Sequence, residues 1–215
     1  MQSQYVDKQY AMPLSQKAIQ DLNIFFFENF FKNTSKILDV GCSVGRIMEV
    51  IGKNRVTGFD ADSLALKIAR KKGFKVVTGN LVKTLPFKDS SFEGIFCSQV
   101  IEHLSNPLMA IREMKRVLTK GGRLVLITPD YLINHRKHKN GFWSDYTHKT
   151  PFTKESLERI AYDSGFKKYR VYHLPGKIWR NIIRTRIISK EQWIRLDNTF
   201  LVWRSQDMVL EAVKD

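Results

Sequence analysis

Cysteine is scarce in this chain of 215 residues, which contains only Cys42 and Cys97. A single pair of cysteines cannot supply the disulfide framework that holds small secreted domains together, so we expect a protein of the reducing cytoplasm. Neither thiol has neighbours in a pattern that resembles a metal site, and the sequence predicts no metal site. The fold must therefore depend on a hydrophobic core, which 43% of hydrophobic residues can supply.

The chain also lacks a long hydrophobic run. Its most apolar stretch, residues 24–31, is far shorter than the roughly 20 residues that cross a bilayer. The first residues have neither a basic region nor an apolar one, so no signal peptide is expected. We predict no transmembrane helix.

Acidic residues are outnumbered, since 36 lysines and arginines face 21 aspartates and glutamates, for a net charge of +15. Such a charge favours an anionic partner, which could be nucleic acid, a phosphorylated substrate or an acidic membrane surface. A basic enzyme without such a partner is the remaining alternative. Because no recognisable RNA-binding module accompanies the charge, nucleic acid is not expected to be the substrate.

Short apolar runs alternate with segments of helical periodicity along the chain. This alternation predicts an α/β protein with a mostly parallel sheet and helices on both faces. The predicted strands are 36–40, 55–60, 75–78, 92–97, 123–128, 168–173 and 207–214. The predicted helices are 14–31, 45–52, 63–72, 107–118 and 153–163.

The stretch ILDVGCSVGR, residues 37–46, matches two different kinds of loop. One is the G-x-S-x-G elbow of hydrolases, in which Ser43 would be the nucleophile; the other is a glycine-rich loop that binds a cofactor. The elbow requires an oxyanion loop upstream, and nothing before residue 37 supplies one. An acid about twenty residues after the loop can accept the hydroxyls of a ribose, and Asp60 stands there. The cofactor loop is the favoured interpretation.

The loop is the first of several motifs that resemble the class I S-adenosylmethionine-dependent methyltransferases, in particular those of type 11. D-x-G-x-S-x-G resembles their first motif, which usually has glycine where Ser43 stands. The resemblance covers about residues 36–130 in the right order and spacing. Its further motifs are G-F-D at 58–60, G-N-L at 79–81, L-P-F-K-D-S-S-F-E at 85–93, V-I-E-H-L at 100–104 and R-V-L-T-K-G-G-R-L at 116–124.

The resemblance implies a Rossmann-like, doubly wound sheet of about seven strands, with helices on both faces and an antiparallel last strand. It divides one structural domain into three parts. Residues 1–35 would be an N-terminal helical cap and residues 36–130 the core that binds S-adenosyl-L-methionine, whose product is S-adenosyl-L-homocysteine. Residues 131–215 would be a segment that covers the acceptor, a last helix and C-terminal strands with a basic amphipathic insertion.

The resemblance also assigns cofactor-binding roles to individual residues. Asp60 would hold the ribose diol and Asp39 would lie beneath the glycine loop. Asn80 occupies a position that is usually aspartate, and its amide oxygen can still accept a hydrogen bond from adenine. The methionine end would contact Gly41, Cys42, Ser43 and Gly45, the adenine Ala61 and Leu81, and the sulfonium Ser98 and Gln99.

Two histidines are candidate catalytic bases for an acceptor that must lose a proton. His103 follows the fourth strand, beside the expected methyl group, and His148 lies in the segment that covers the acceptor in this family. Each also has a structural interpretation, because His103 can simply begin a helix and His148 can fix the turn before Thr153. The sequence leaves these alternatives open.

The expected activity is methyl transfer to a small-molecule, glycan or lipid-linked acceptor, anionic in character, with O-methylation favoured. Enzymes that methylate base amines often carry Asn/Asp-Pro-Pro-Tyr/Phe after the fourth strand, where this chain has C-S-Q-V at 97–100. An RNA methyltransferase and a non-catalytic protein that binds S-adenosylmethionine are the alternatives.

Two basic stretches offer a use for the positive charge. Residues 135–139 could meet an anionic acceptor, and residues 177–188 interleave bulky apolar and cationic side chains. The second stretch could lie at the inner face of a membrane as a peripheral contact, or pack its apolar face on the sheet and extend its cations into water.

Charge reversal tests the membrane interpretation. Glutamate at Arg180, Arg184 and Arg186 should release the protein from acidic liposomes in a sedimentation assay, because the attraction between cationic side chains and anionic lipid is lost. Liposome binding that ignores the three substitutions would assign the segment to packing on the sheet.

Overall fold

The computed structural model describes residues 30–133, 141–175 and 204–215, together with residues 189, 191, 192 and 195. Most of the predicted N-terminal helix and both basic stretches, 135–139 and 177–188, lie outside these residues. No helix within the described ranges is long and apolar enough to cross a membrane.

One sheet of seven strands organises the described chain, in the order β3-β2-β1-β4-β5-β7-β6. All neighbouring strands pair in parallel except β7, which runs antiparallel to both β5 and β6. The predicted fold class, including the antiparallel last strand, is therefore confirmed. The strands are β1 (Ile37–Val40), β2 (Val56–Asp60), β3 (Lys75–Thr78), β4 (Phe92–Ser98), β5 (Leu118–Pro129), β6 (Lys168–Pro175) and β7 (Arg204–Val213).

Helices follow the strands at the predicted places. Side-chain caps fix the starts of three of them: Asp62 and Asn106 accept backbone N–H groups, and Thr153 forms a capping box with Ser156. The helices are α1 (Arg46–Ile51), α2 (Ser63–Lys71), α3 (Pro107–Val117) and α4 (Lys154–Asp163). Two single 3-10 turns, Ile101–His103 and Gly141–Ser144, lie near the carboxyl ends of the strands.

Both faces of the sheet are buried, as a doubly wound fold requires. On one face Leu38 and Val40 pack with residues of α3 and α4. On the other face Ile37 packs with α1, α2 and Phe31. The ring of Phe31 meets that of Phe96 edge-on, at 6.4 Å between centroids. This double burial leaves the carboxyl ends of the strands as the place where polar groups gather.

Strand β5 begins earlier than the sequence predicts, at Leu118 rather than residue 123. Leu118 pairs with Phe92, and the register then shifts so that Arg123 pairs with Gly94. Gly121 donates its N–H to the carbonyl of Lys214, and Lys214 donates to that of Gly122. The last residues of the chain thus pair with the first residues of β5, whereas the local sequence predicts that this strand begins only after Gly121 and Gly122.

Candidate active site

A cleft of about 320 Å³ opens at the carboxyl ends of β1, β2 and β4. This is where open α/β sheets bind their ligands. Seven residues that the sequence assigns to a cofactor line it: Gly41, Ser43, Asp60, Ala61, Asn80, Leu81 and Gln99. Four other residues of the lining were not predicted: Phe59, Gly79, Val100 and Leu104. All four lie inside the quoted motifs, next to residues to which the resemblance assigns a role.

The loop after β1 holds a conformation that side chains would obstruct. Gly41 has φ of +79°, and a Cβ there would lie 2.3 Å from Cγ2 of Val100. Gly45 has φ of +81°, and its Cβ would lie 2.9 Å from the ring of Phe74. Ser43 adopts φ of +48°, which is uncommon for a residue with a side chain. The two glycines are therefore required where they stand.

Asp60 joins the end of β2 to this loop. Its Oδ2 accepts the N–H of Ser43 at 2.8 Å, and its Oδ1 accepts the N–H of Asp62 at 2.8 Å. Each carboxylate oxygen can accept a further hydrogen bond. The carboxylate is thus held in place and still has capacity for a ligand in the cleft.

Asp39 and Glu102 are two of the buried carboxyl groups at this end of the sheet. Asp39 lies beneath the loop, its Oδ2 has no hydrogen-bond partner among the described residues, and burial and the charge of Asp60 raise its pKa to about 7. Glu102 is fully buried, and burial raises its pKa to about 7 as well. Oε2 of Glu102 accepts the hydroxyl of Thr128 at 3.0 Å, while Oε1 has no partner in the described part of the chain.

The segment 141–150 docks on the turn that contains Glu102. The carbonyl of Glu102 accepts the N–H groups of Lys149 and Thr150 at 2.7 and 3.0 Å. This docking brings His103 and His148 together, with ring centroids 4.8 Å apart. Of the two rings, that of His103 lines the cleft. The two candidate bases, 45 positions apart in the sequence, are neighbours in the fold.

Hydrogen bonds fix the proton on one nitrogen of each ring. The Phe142 carbonyl lies 2.7 Å from Nδ1 of His148, so that nitrogen must donate. The hydroxyl of Thr147 donates to Asp145 and therefore accepts from Nδ1 of His103, at 2.9 Å. When such a ring is neutral, its Nε2 is left with a lone pair. Burial and the neighbouring His148 lower the pKa of His103, which keeps that ring neutral at pH 7.

Comparisons with known proteins address the family. Residues 38–126 match the model of a methyltransferase domain. An uncharacterized protein of Methanocaldococcus jannaschii is 31% identical over 206 residues, which cover 88% of this chain and 82% of that protein. The chain belongs to the class I S-adenosylmethionine-dependent methyltransferases.

Other relatives extend the comparison. Probable tRNA methyltransferase 9B of Homo sapiens is 36% identical over 121 residues, 54% of this chain, and the chain spans only 26% of that protein's length. A solved structure from Thermotoga maritima, a possible histamine N-methyltransferase, has a TM-score of 0.73 at 19% identity and covers 99% of this chain and 97% of its own. At that identity the structural likeness shows the fold alone.

The cofactor of this methyltransferase family is S-adenosylmethionine, and the cleft fits it. A Cβ at Gly41 would fill space beside Val100, and one at Gly79 would lie 2.5 Å from the ring of Phe59, so both glycines keep the cleft open. Asp60 would hold the ribose diol. Leu81 and Ala61 offer an apolar wall for the base.

Several residues predicted to contact the cofactor lie outside the cleft or already have another partner. Cys42 is 5% exposed and its thiol lies beneath the loop, where a Cβ on Gly58 would be 2.5 Å from its sulfur. Burial raises the pKa of this thiol far above its usual range. The amide oxygen of Asn80 already accepts the N–H of Val82. Asp39, Cys42, Gly45 and Ser98 do not line the cleft.

Gln99 has φ of +56° at the end of β4, and its amide donates to Asp207 at 3.1 Å. A left-handed residue with a long side chain carries a conformational cost, and such residues cluster at functional sites. Gln99 lines the cleft, and its contact with the sulfonium stays a prediction.

Replacing Asp60 tests the ribose site. Asp60→Ala should weaken binding of S-adenosylmethionine by about 1–3 kcal/mol in calorimetry, because the diol loses its acceptor. Asp60→Asn keeps an acceptor for the Ser43 amide. It therefore distinguishes a lost contact with the ribose diol from a lost anchor of the loop after β1. Ser43→Ala is the matched control and should have a mild effect, since its backbone N–H remains. Unchanged affinity in both Asp60 variants would contradict the placement, and labelling of Ser43 by a fluorophosphonate would revive the hydrolase interpretation.

The pKa of Asp39 predicts a pH-dependent stability. Between pH 4 and about 7 this carboxyl is protonated in the folded protein and ionised in the unfolded chain, so it destabilises the fold increasingly as pH rises. Asp39→Asn should therefore gain stability over the wild type as pH rises from 4 to 7, reaching about 1–4 kcal/mol and then staying constant. Urea unfolding without cofactor measures this difference. A difference that does not change with pH would show that Asp39 is ionised in the fold.

Proposed function

We propose that this methyltransferase transfers the methyl group of S-adenosylmethionine to a hydroxyl oxygen of an anionic small-molecule, glycan or lipid-linked acceptor. The cofactor supplies an electrophilic methyl group on a sulfonium. Displacement at that methyl requires an acceptor aligned in line with the sulfur in a site that excludes water. A hydroxyl acceptor must in addition lose its proton.

The observation that carries this proposal is the cluster of Glu102, His103 and His148 at the edge of the cofactor cleft. The three side chains place ligating atoms within 4.8 Å of one another. Both histidines have Nδ1 committed to an oxygen, so their free lone pairs are on Nε2. Such a group of electron-pair donors has a use where a proton leaves an oxygen, and an acceptor that needs no proton removal would not require it.

Aromatic rings continue from this cluster. The ring centroids of Phe142 and His148 lie 4.3 Å apart, and those of Phe142 and Trp143 lie 5.0 Å apart. Phe142 is buried, whereas Trp143 is 51% exposed. Because Phe142 is buried, it is the exposed ring of Trp143 that supports an acceptor with an apolar or sugar portion, while the reacting hydroxyl faces the histidines.

Transfer to tRNA is the second candidate, because relatives with that name are 36% identical over 121 residues. The matched part is only 26% of the human protein. The likeness therefore supports a common acceptor less than it supports a common methyltransferase domain. The net charge of +15 suits RNA and other anionic acceptors equally.

An acceptor screen tests the proposal. The protein is incubated with radiolabelled S-adenosylmethionine and, separately, with hydroxyl-bearing glycans, lipid-linked saccharides, small anionic alcohols and total tRNA at physiological salt. We expect incorporation into a hydroxyl compound, and only weak tRNA binding that falls steeply with salt. Methylation of one defined nucleotide would replace the proposal with the second candidate.

Removing the His148 imidazole should stop the reaction but not cofactor binding. His148→Ala should lower turnover by about 100-fold or more, because proton removal from the acceptor is impaired. Affinity for S-adenosylmethionine, measured by calorimetry, should stay the same and serves as the control for folding. His148→Gln retains a donor for the Phe142 carbonyl. Normal turnover in the glutamine variant would show that His148 only holds the segment 141–150 in place.

A further inference from the structure

We infer that Glu102, His103 and His148 form a binding site for one divalent transition-metal ion at the acceptor side of the cofactor cleft. Each residue offers one ligating atom, and these atoms lie within 4.8 Å of one another. The binding site itself is independent of the proposed function. Only the ion's role, assistance to a hydroxyl acceptor, rests on it.

The two histidines are already oriented as metal ligands usually are. A histidine that binds a metal with one ring nitrogen commonly donates its other N–H to a carbonyl, a carboxylate or water, which fixes the ring and its tautomer. His148 donates from Nδ1 to the Phe142 carbonyl at 2.7 Å. His103 donates from Nδ1 to the Thr147 hydroxyl at 2.9 Å, which in turn donates to Asp145. Both rings therefore present Nε2.

Glu102 supplies the independent observation. It is fully buried, Oε2 accepts the Thr128 hydroxyl, and Oε1 has no hydrogen-bond partner in the described residues. A buried carboxylate oxygen without a donor is costly. A cation on Oε1 would compensate this oxygen directly, which no donor among the described residues does.

Small movements would complete the geometry. A transition-metal ion about 2.0–2.2 Å from each ligand holds cis ligands roughly 3 Å apart, whereas one ligating atom of each residue lies within 4.8 Å of the others, so the side chains must move closer together to bind one ion. Both histidine side chains are only partly buried, which leaves room for such a shift. A second carboxylate stands nearby, since Oδ2 of Asp145 lies 3.9 Å from Nε2 of His148. The two carboxyl groups beside the two imidazoles make the surroundings favourable for a cation.

The donor set indicates the kind of ion. Two imidazoles and one carboxylate suit Zn²⁺, Fe²⁺, Co²⁺ and Mn²⁺, whereas Mg²⁺ and Ca²⁺ prefer oxygen ligands throughout. Three protein ligands leave coordination positions open, as catalytic metal sites do. Because His103 lines the cleft, an acceptor oxygen could reach an open position from the cofactor side.

The chemistry that follows is assistance to the acceptor. A divalent ion would lower the pKa of a coordinated hydroxyl, so that its proton can pass to solvent. With the ion bound, Nε2 of His148 is a ligand and no longer the base that removes this proton. Transfer then forms an O–C bond and breaks the S–C bond, and the electron pair of that bond stays on sulfur. The products are a methyl ether, S-adenosylhomocysteine and one proton.

Metal titration without cofactor or acceptor tests the site. Metal-free protein is titrated with ZnCl₂, MnCl₂, CoCl₂ and MgCl₂ in a calorimeter, and Co²⁺ binding is followed by visible absorption. We expect one transition ion per chain and weaker binding of Mg²⁺. His103→Ala, His148→Ala and Glu102→Gln should each weaken binding by more than the roughly 10–100-fold typical for loss of a hydrogen-bonded partner. The double variant His135→Ala/His138→Ala removes two other histidines and should bind as the wild type does.

Calorimetry with S-adenosylmethionine shows that each variant is folded. No transition ion on the wild type, equal binding by the His103 and His148 variants, or loss of binding in the His135/His138 control would overturn the inference. The proposed function fails separately. If the protein binds an ion but methylates no hydroxyl acceptor, the metal site stands and the proposed reaction is wrong. If it methylates a hydroxyl acceptor but binds no ion, the reaction stands and the metal site is wrong.

Discussion

The contact between the Asp60 carboxylate and the Ser43 amide is the constraint on which the cofactor cleft depends. It joins the end of one strand to the loop that leaves its neighbour, and it holds that loop in a conformation with positive φ at Gly41, Ser43 and Gly45. Without this anchor the loop would have no reason to keep Ser43 in the left-handed region, where a residue with a side chain is disfavoured. The parallel sheet supports the contact, because it brings the carboxyl ends of β1 and β2 side by side with residues Asp39 and Gly58 in register. Ligand binding thus depends on sheet register as much as on the loop.

A second anchor builds the acceptor side. The carbonyl of Glu102 accepts two consecutive amides of the segment 141–150, while its side chain bonds to Thr128 on β5. Main chain and side chain of one residue therefore connect the turn after β4 to a strand and to the covering segment. The histidines meet because of this docking, which brings the loop residue His148 to His103 at the end of its 3-10 turn. A change at Glu102 would disturb the sheet, the segment and the histidine pair together.

Features that depend on local sequence could be predicted, whereas features that depend on tertiary contacts such as these two anchors could not. Strands and helices were predictable because hydrophobic periodicity is a local property, and the seven-stranded sheet followed from their alternation. The early start of β5 could not be predicted, because it depends on pairing with Lys214 near the C-terminus. Asp60 and the glycines could be placed through the order of the motifs, whereas the direction of the Cys42 side chain could not, since packing against Gly58 decides it. The cluster of Glu102, His103 and His148 could not be predicted either, because tertiary hydrogen bonds bring His148 to the adjacent Glu102 and His103.

The two carboxyl groups with an oxygen that lacks a partner are Asp39 and Glu102, among the residues that the structure describes. They lie on different sides of the cofactor region, one beneath the loop and one next to the histidines. A folded protein normally satisfies buried polar atoms, and exceptions concentrate where a ligand completes them. S-adenosylmethionine carries a sulfonium and an ammonium group, and the inferred metal ion is a second cation. Both carboxyl groups are costly for the protein alone. Asp39 does not line the cleft, so a cofactor cation would favour its ionised form only through the loop, at a distance, whereas the inferred metal ion would meet Glu102 directly. On this argument part of the stability that the empty fold gives up at Asp39 and Glu102 is recovered as affinity for the cofactor and for the inferred metal ion.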